Sequence, residues 1–119
     1  MWAARYGHTE TVKFLLCKGA DVNRENRQGN TALLFAAYEG SIEMMKLLLE
    51  AGADVNATNG EDASVLSYAH ELKDDAQRKA IIELYNAYWA LVKVQSIYLL
   101  CLIALLIIVF GTVKIVFFE

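Results

Sequence analysis

The sequence superimposes on itself when it is shifted by 33 residues, and no gap is needed to keep the copies in phase. The pentapeptide Gly-Ala-Asp-Val-Asn at residues 19–23 recurs unchanged at residues 52–56. A third copy begins at Asn59, in which Leu33 maps to Leu66. A fixed period of this length is typical of stacked supersecondary units, so it restricts the fold to a repeat architecture.

Each copy has the pattern of two short helices followed by a turn. Thr31 is a favourable N-cap for the first helix, and Gly40 ends that helix. Ser41 is the expected N-cap of the second helix, and Gly52 ends it. The small apolar face of the first helix is Leu33, Ala36 and Ala37, and the apolar stripe of the second is Ile42, Met45, Leu48 and Leu49.

This 33-residue unit resembles the ankyrin repeat, and the residues that carry the resemblance are 29–37, Gly40 and 47–56. The resemblance covers residues 1 to about 84, in repeats of approximately 1–25, 26–58 and 59–84. It implies an all-α fold, a short helical solenoid, and another protein bound on the concave face of the repeats.

The chain departs from the family pattern in two ways. Residues 31–34 read Thr-Ala-Leu-Leu where the family has Thr-Pro-Leu-His, and the lost histidine is expected to weaken hydrogen bonding between neighbouring loops. The third copy has Gln77 and Arg78 in place of Met44 and Met45, as expected of a polar terminal repeat. With fewer than three complete copies, the repeats alone are expected to be marginally stable.

A long apolar segment follows the repeats. Residues 94–113 carry no charge, and their number lies within the roughly 17–25 residues that a membrane-spanning helix needs. Lys93 and Lys114 flank the segment, and a repeat region of about 84 residues is too small to bury such a helix as core. The aromatic residues at its two ends resemble interfacial belts and are Tyr85, Tyr88, Trp89, Tyr98, Phe117 and Phe118.

The segment therefore predicts a single transmembrane helix over residues 94–118 and an interfacial helical connector over 85–93. Because few residues follow it, the segment resembles a tail anchor, which leaves the repeat region in the cytosol. Glycine and proline are absent from 61–110, so a continuous helix over 76–110 is predicted, with a kink near Asn86 as the alternative.

Composition argues against several classes of function. The first 93 residues hold 10 of the 11 basic and 13 of the 14 acidic residues, so the formal charge of −3 lies there and does not favour nucleic-acid binding. His8 and His70 are isolated, and Cys17 and Cys101 are not expected to pair. We therefore expect no catalytic residues, no metal site, no cofactor and no small-molecule substrate.

One column of aromatic residues is the candidate partner-binding site. Trp2, Phe35 and Tyr68 are spaced by 33 residues, at a position that faces the groove in the family. Aromatic side chains dominate binding hot spots, although packing of these rings as core is the alternative. The neighbouring candidate residues are Arg5, Tyr6, Tyr38 and Glu39.

These features predict a membrane-anchored ankyrin-repeat module that binds another protein and contacts the lipid bilayer through its C-terminal helix. Three alternatives remain open from sequence. The chain is a fragment of a larger multi-span membrane protein such as an ion channel, part of an enzyme with a lipid-transferase membrane domain, or a remnant without function.

Overall fold

The repeated pattern folds into paired helices joined by polar loops. The computed structural model describes the backbone of residues 1–118 and the side chains of residues 1–111. Within residues 1–118 there is no β-strand, which confirms the all-α prediction. The helices are α1 (Trp2–Arg5), α2 (Thr9–Cys17), α3 (Ala32–Tyr38), α4 (Ile42–Glu50), α5 (Val65–Glu71) and α6 (Asp75–Phe118).

The first helix of the second repeat lies at the centre of the packing. α3 contacts α1 on one side, α5 on the other, and its own partner α4. The predicted apolar residues of the second repeat are buried here, except Ile42, which is half-buried, and their removal from water is the main favourable term in folding. The largest fully buried side chains are Leu33, Leu34, Met44, Met45, Leu48, Val65 and Ile81.

Hydroxyl side chains cap the N-termini of α3 and α5, the first helices of the second and third repeats. The Thr31 side chain accepts a hydrogen bond from the Leu34 backbone N–H. Ser64 and Ser67 form a reciprocal capping box. Ser41 occupies the predicted N-cap position of α4, but its side chain makes no capping hydrogen bond. The Ser41 backbone N–H instead donates to the Ala36 carbonyl oxygen at 2.9 Å, which closes the end of α3.

Hydrogen bonds between loops join the repeats despite the missing histidine. The Asn23 side chain donates to the Gly52 carbonyl oxygen at 3.2 Å and accepts from the Asp54 N–H at 2.7 Å. At the next loop, the Gly60 N–H donates to the Gln28 carbonyl oxygen at 2.9 Å. Asparagine side chains and backbone groups at other positions thus connect the loops of neighbouring repeats.

The third repeat ends differently from the other two. At the position of Gly52 it has Tyr85, whose hydroxyl donates to the Asn56 side-chain oxygen at 3.3 Å. Tyr85 and Tyr88 are half-buried against the repeat core. The chain divides into two compact units, and Met1–Tyr88 is the first of them.

α6 includes the whole stretch that was predicted as helix over 76–110, and it begins at Asp75. Its apolar part, within Asp75–Gly111, has the length and composition of a membrane-spanning helix, and the most apolar window is entirely unburied. The predicted interfacial side chains of Lys114, Phe117 and Phe118 lie outside the described residues.

Candidate functional site

The three aromatic residues of the predicted column lie on the first helices of successive repeats. Trp2 is on α1, Phe35 on α3 and Tyr68 on α5. Because α3 packs between α1 and α5, the three positions form one row. The row and its neighbours Arg5, Tyr6, Tyr38 and Glu39 are called the aromatic surface below.

Most of the aromatic surface is open to solvent. The exposed fractions are 69% for Trp2, 63% for Tyr6 and 53% for Tyr38. Phe35 is half-buried and is absent from the residues that pack on the core, whereas Tyr68 packs partly against the core. The three positions therefore differ in their surroundings. Packing against the core explains the placement of Tyr68 better than it explains that of Trp2 or Phe35.

Arg5 connects the first two repeats. Its guanidinium carbon lies 5.9 Å from the centroid of the Trp2 ring and 5.7 Å from that of Phe35. Both distances lie within the roughly 6 Å range of a cation–π contact. Arg5 Nε also lies 3.9 Å from Glu39 Oε1, and both side chains are 41% exposed. An exposed pair at that distance adds little stability, so the arginine is held mainly by the two rings.

Ring contacts join the remaining candidate residues. Trp2 and Tyr6 stack with their centroids 5.9 Å apart and their planes 9° apart. Tyr38 meets Tyr68 edge to face at 5.5 Å, with an interplanar angle of 86°. All seven predicted residues are thus within direct contact of at least one other member of the set.

The loop between the first two repeats also borders the aromatic surface, and the sequence did not predict this. An open cavity of about 270 Å³ is lined by Met1, Trp2, Arg5, Asn26, Gln28 and Phe35. A second of about 220 Å³ is lined by Arg5, Gln28, Asn30, Leu34, Phe35, Tyr38 and Tyr68. The spacing of 33 between Asn26 and Asn59 was the available signal, since both asparagines form the same turn.

That turn has a fixed geometry. The Asn26 side-chain oxygen accepts from the backbone N–H groups of Gln28 and Asn30, both at 2.9 Å. Asn59 repeats the arrangement with Glu61 and Ala63. These hydrogen bonds hold the loop in one conformation. The backbone position of Gln28 is therefore defined.

The pKa of Tyr68, an ionisable residue of the aromatic surface, is displaced upward. Burial raises the pKa of the Tyr68 hydroxyl, and the nearby carboxylates of Glu61 and Glu71 raise it further, while the hydrogen bond from Asn59 opposes them. The Asn59 side-chain nitrogen donates to the Tyr68 oxygen at 3.1 Å. The hydroxyl therefore stays protonated at neutral pH and keeps its own proton to donate.

Groups capable of catalysis are dispersed. In the described part of the chain, no three His, Cys, Asp or Glu residues cluster in a way that suits a metal ion. His8 is at the N-cap of α2, and His70 is in the last turn of α5. Cys17 and Cys101 are free thiols. Asp21 and Asp54 each accept from a backbone N–H two residues later, which is a turn-forming role.

A family model described as ankyrin repeats, in three copies, matches residues 1–81. The chain therefore belongs to the ankyrin-repeat family, as the internal period and the quoted motifs predicted. No match to the chain was found among curated proteins. Ankyrin repeats are typically protein-interaction domains without enzymatic activity.

Proposed function

We propose that this protein is a membrane-anchored interaction module that binds another protein on its aromatic surface. The observation that carries the proposal is the grouping of the exposed Trp2 and Arg5 with the half-buried Phe35 across two repeats. Solvent-exposed aromatic rings next to an arginine have the composition of an interface hot spot, which is enriched in Trp, Tyr and Arg.

The fold itself does not require these side chains where they are. Trp2 and Tyr6 expose more than half of their surface, so most of their apolar area remains in contact with water. A partner that covered them would recover about 25 cal/mol for each Å² of apolar surface it removes from solvent. A binding role thus explains the exposure of these rings better than core packing does.

The C-terminal helix supports the second half of the proposal. The apolar part of α6 has the length and composition of a membrane-spanning helix, and the large apolar side chains that the structure describes between Leu91 and Phe110 are exposed. A lipid bilayer would cover such a helix on all sides. We propose a single span, with the repeats on the cytosolic side of the membrane.

The test of partner binding compares two phenylalanines. Phe35→Ala is expected to reduce the affinity for a partner while the free energy of unfolding changes by well under the roughly 3–5 kcal/mol of a core Phe→Ala substitution. Phe14, which is 60% exposed on α2 and does not line the aromatic surface, supplies the matched control. Phe14→Ala should leave affinity unchanged.

Pull-down of a tagged full-length chain, followed by urea unfolding of the same variants, measures both quantities. A loss of several kcal/mol in Phe35→Ala would identify Phe35 as a packing residue and contradict the proposal. For the membrane anchor, the full chain should resist alkaline carbonate extraction, and deletion of residues 94–119 should release it. Recovery of the full chain in the supernatant without detergent would contradict a membrane span.

A further inference from the structure

We infer that the aromatic surface recognises a carboxylate of its partner, in a short peptide segment where an Asp or Glu lies next to a large apolar residue. The inference rests on the proposed function and specifies what the same surface binds. Arg5 is the group that would receive the carboxylate, while Trp2 and Phe35 would receive the apolar neighbour.

The terminal nitrogens of Arg5 are available for this role. Within the side chains that the structure describes, Arg5 has one ion pair, and that pair uses Nε rather than Nη1 or Nη2. At 3.9 Å it is also longer than a hydrogen bond. An arginine whose two terminal nitrogens are free presents parallel N–H donors, which match the two oxygens of a carboxylate.

The position of the guanidinium is fixed before any partner arrives. The ring centroids of Trp2 and Phe35 lie 5.9 Å and 5.7 Å from the guanidinium carbon of Arg5. An arginine held by two aromatic rings has fewer rotamers to lose when it binds, and this reduces the entropic cost of recognition. The same rings offer apolar surface beside the charge.

The two cavities bordered by Gln28 are lined by a positive side chain and no acidic one, although the chain as a whole is acidic. The formal charge of the protein is −3, yet Arg5 is the only charged side chain among the residues that line either cavity bordered by Gln28. The nearest described acid is Glu39, and Glu71 lines a separate cavity with Tyr38, Tyr68 and Leu72. An acidic group entering either cavity would thus meet Arg5, whose described acidic neighbour is the exposed Glu39 at 3.9 Å.

Gln28 supplies a second polar group at the same place. It lines both cavities, and its backbone is held by the bond from its N–H to Asn26 and by the bond from Gly60 to its carbonyl oxygen. Across the described side chains, no hydrogen bond of the Gln28 amide is present, so its donors are open to a partner. Arg5 and Gln28 together give the carboxylate donors from two elements.

The test uses the full chain in detergent micelles and a displayed library of random 12-residue peptides as the probe. Peptides that bind the wild-type chain and lose binding in Phe35→Ala are expected to be enriched in Asp or Glu beside an aromatic or large aliphatic residue. One such peptide is then measured against wild type, Arg5→Gln, Arg5→Lys and Arg24→Gln, each with the acidic residue intact or replaced by its amide.

Arg5→Gln should weaken binding by about 10- to 100-fold, the range of a charged hydrogen bond. Arg5→Lys keeps the charge but not the paired donors, so its affinity for the peptide should lie between those of wild type and Arg5→Gln. Arg24→Gln removes the same charge from the exposed loop that follows the first repeat and should bind like wild type. Replacing the peptide's acid should weaken binding to wild type and change binding to Arg5→Gln by far less.

Two results would overturn the inference, and they are distinguishable. Peptides that depend on Phe35 but show no acidic preference, or bind Arg5→Gln as tightly as wild type, refute the carboxylate and leave the proposed function standing. A library with no peptide that depends on Phe35 refutes the proposed function and the inference together. The amide-substituted peptide on the wild-type chain keeps the test valid if Arg5→Gln folds poorly.

Discussion

The first and second repeats contain the same pentapeptide, but they bury it differently. Val22 in residues 19–23 is half-buried, whereas Val55 in residues 52–56 is only 3% exposed. The second helices differ in the same direction, since Leu15 is 43% exposed and Leu48 is 1% exposed. In a solenoid each repeat contacts only its neighbours, so burial follows the number of neighbours rather than the local sequence.

The comparison separates what stabilises the fold from what remains on its surface. The second repeat has α1 on one side of α3 and α5 on the other, and its side chains form the core. The first repeat has a neighbour on one side in the described structure, and its equivalent apolar residues line an open cavity of about 210 Å³ with Val12, Leu15, Leu16 and Val22. Equivalent substitutions in the two repeats should therefore have unequal costs.

The largest expected difference is between Leu48→Ala and Leu15→Ala. Leu48→Ala leaves a cavity in the core and should lower the free energy of unfolding by about 2–5 kcal/mol. Leu15→Ala removes a side chain that is already partly in water and should cost about 1 kcal/mol. Urea unfolding of the full chain in detergent micelles, followed by circular dichroism, measures both. Equal losses would refute the dependence of burial on neighbours.

Glycine substitutions should give the next largest difference. Gly29 and Gly19 both have positive φ, of +78° and +86°, so alanine is strained at either by about 1–2 kcal/mol. A Cβ on Gly29 would also lie 2.9 Å from the Gly60 nitrogen, whereas one on Gly19 meets nothing within 4 Å. Gly29→Ala should cost about 1–3 kcal/mol more than Gly19→Ala, because backbone must shift between the loops.

The same unfolding measurement distinguishes the two glycine variants. If Gly19→Ala proves as costly as Gly29→Ala, the close approach of the two loops does not contribute to stability. If both are neutral, the left-handed conformation at these positions is not required either.

The loop asparagines test the two junctions between repeats. Asn23 makes two hydrogen bonds to the following loop, to Gly52 and Asp54, whereas Asn56 makes one, with the Tyr85 hydroxyl at 3.3 Å. These groups are exposed, so each bond is worth the lower part of the usual range. Asn23→Ala should cost about 1 kcal/mol and Asn56→Ala about half of that. If Asn56→Ala costs more stability than Asn23→Ala, the hydrogen bond between Tyr85 and Asn56 contributes more than its length of 3.3 Å indicates.

The smallest expected effect concerns Tyr68 and is visible only at high pH. Its raised pKa means that the folded state holds the hydroxyl proton more tightly than the unfolded state, whose tyrosine pKa is about 10. The stabilisation is therefore fully present below pH 10 and is lost as pH rises through the folded pKa. The stability of wild type relative to Tyr68→Phe should decline across that range, and a constant difference would contradict the assignment.

The sequence predicted the parts of this molecule that depend on periodic spacing. The repeated glycines and the Thr31 cap placed the helices, because helix ends need specific backbone and side-chain groups locally. The aromatic column at spacing 33 likewise placed Trp2, Phe35 and Tyr68 on one row. Those positions follow from the repeat alone, without knowledge of contacts.

The repeat spacing did not predict the contacts between neighbouring repeats. Arg5 lies near the rings of both Trp2 and Phe35 because α1 and α3 pack side by side, and the repeat spacing does not predict these distances. Gln28 borders the surface for the same reason. Ser41 was a good N-cap by residue type, yet its side chain makes no capping hydrogen bond, while its backbone N–H donates to the Ala36 carbonyl oxygen at the end of α3.

A single measurement tests the central claim, that a protein partner covers the aromatic surface while the chain is in its membrane. A photo-crosslinking phenylalanine analogue replaces either Phe35 or Phe14 in the full chain, expressed in cells and isolated with the membrane fraction. The account predicts a protein adduct from position 35 that disappears with Trp2→Ala, and none from position 14. An adduct from position 14 alone, or no adduct from position 35, would contradict it.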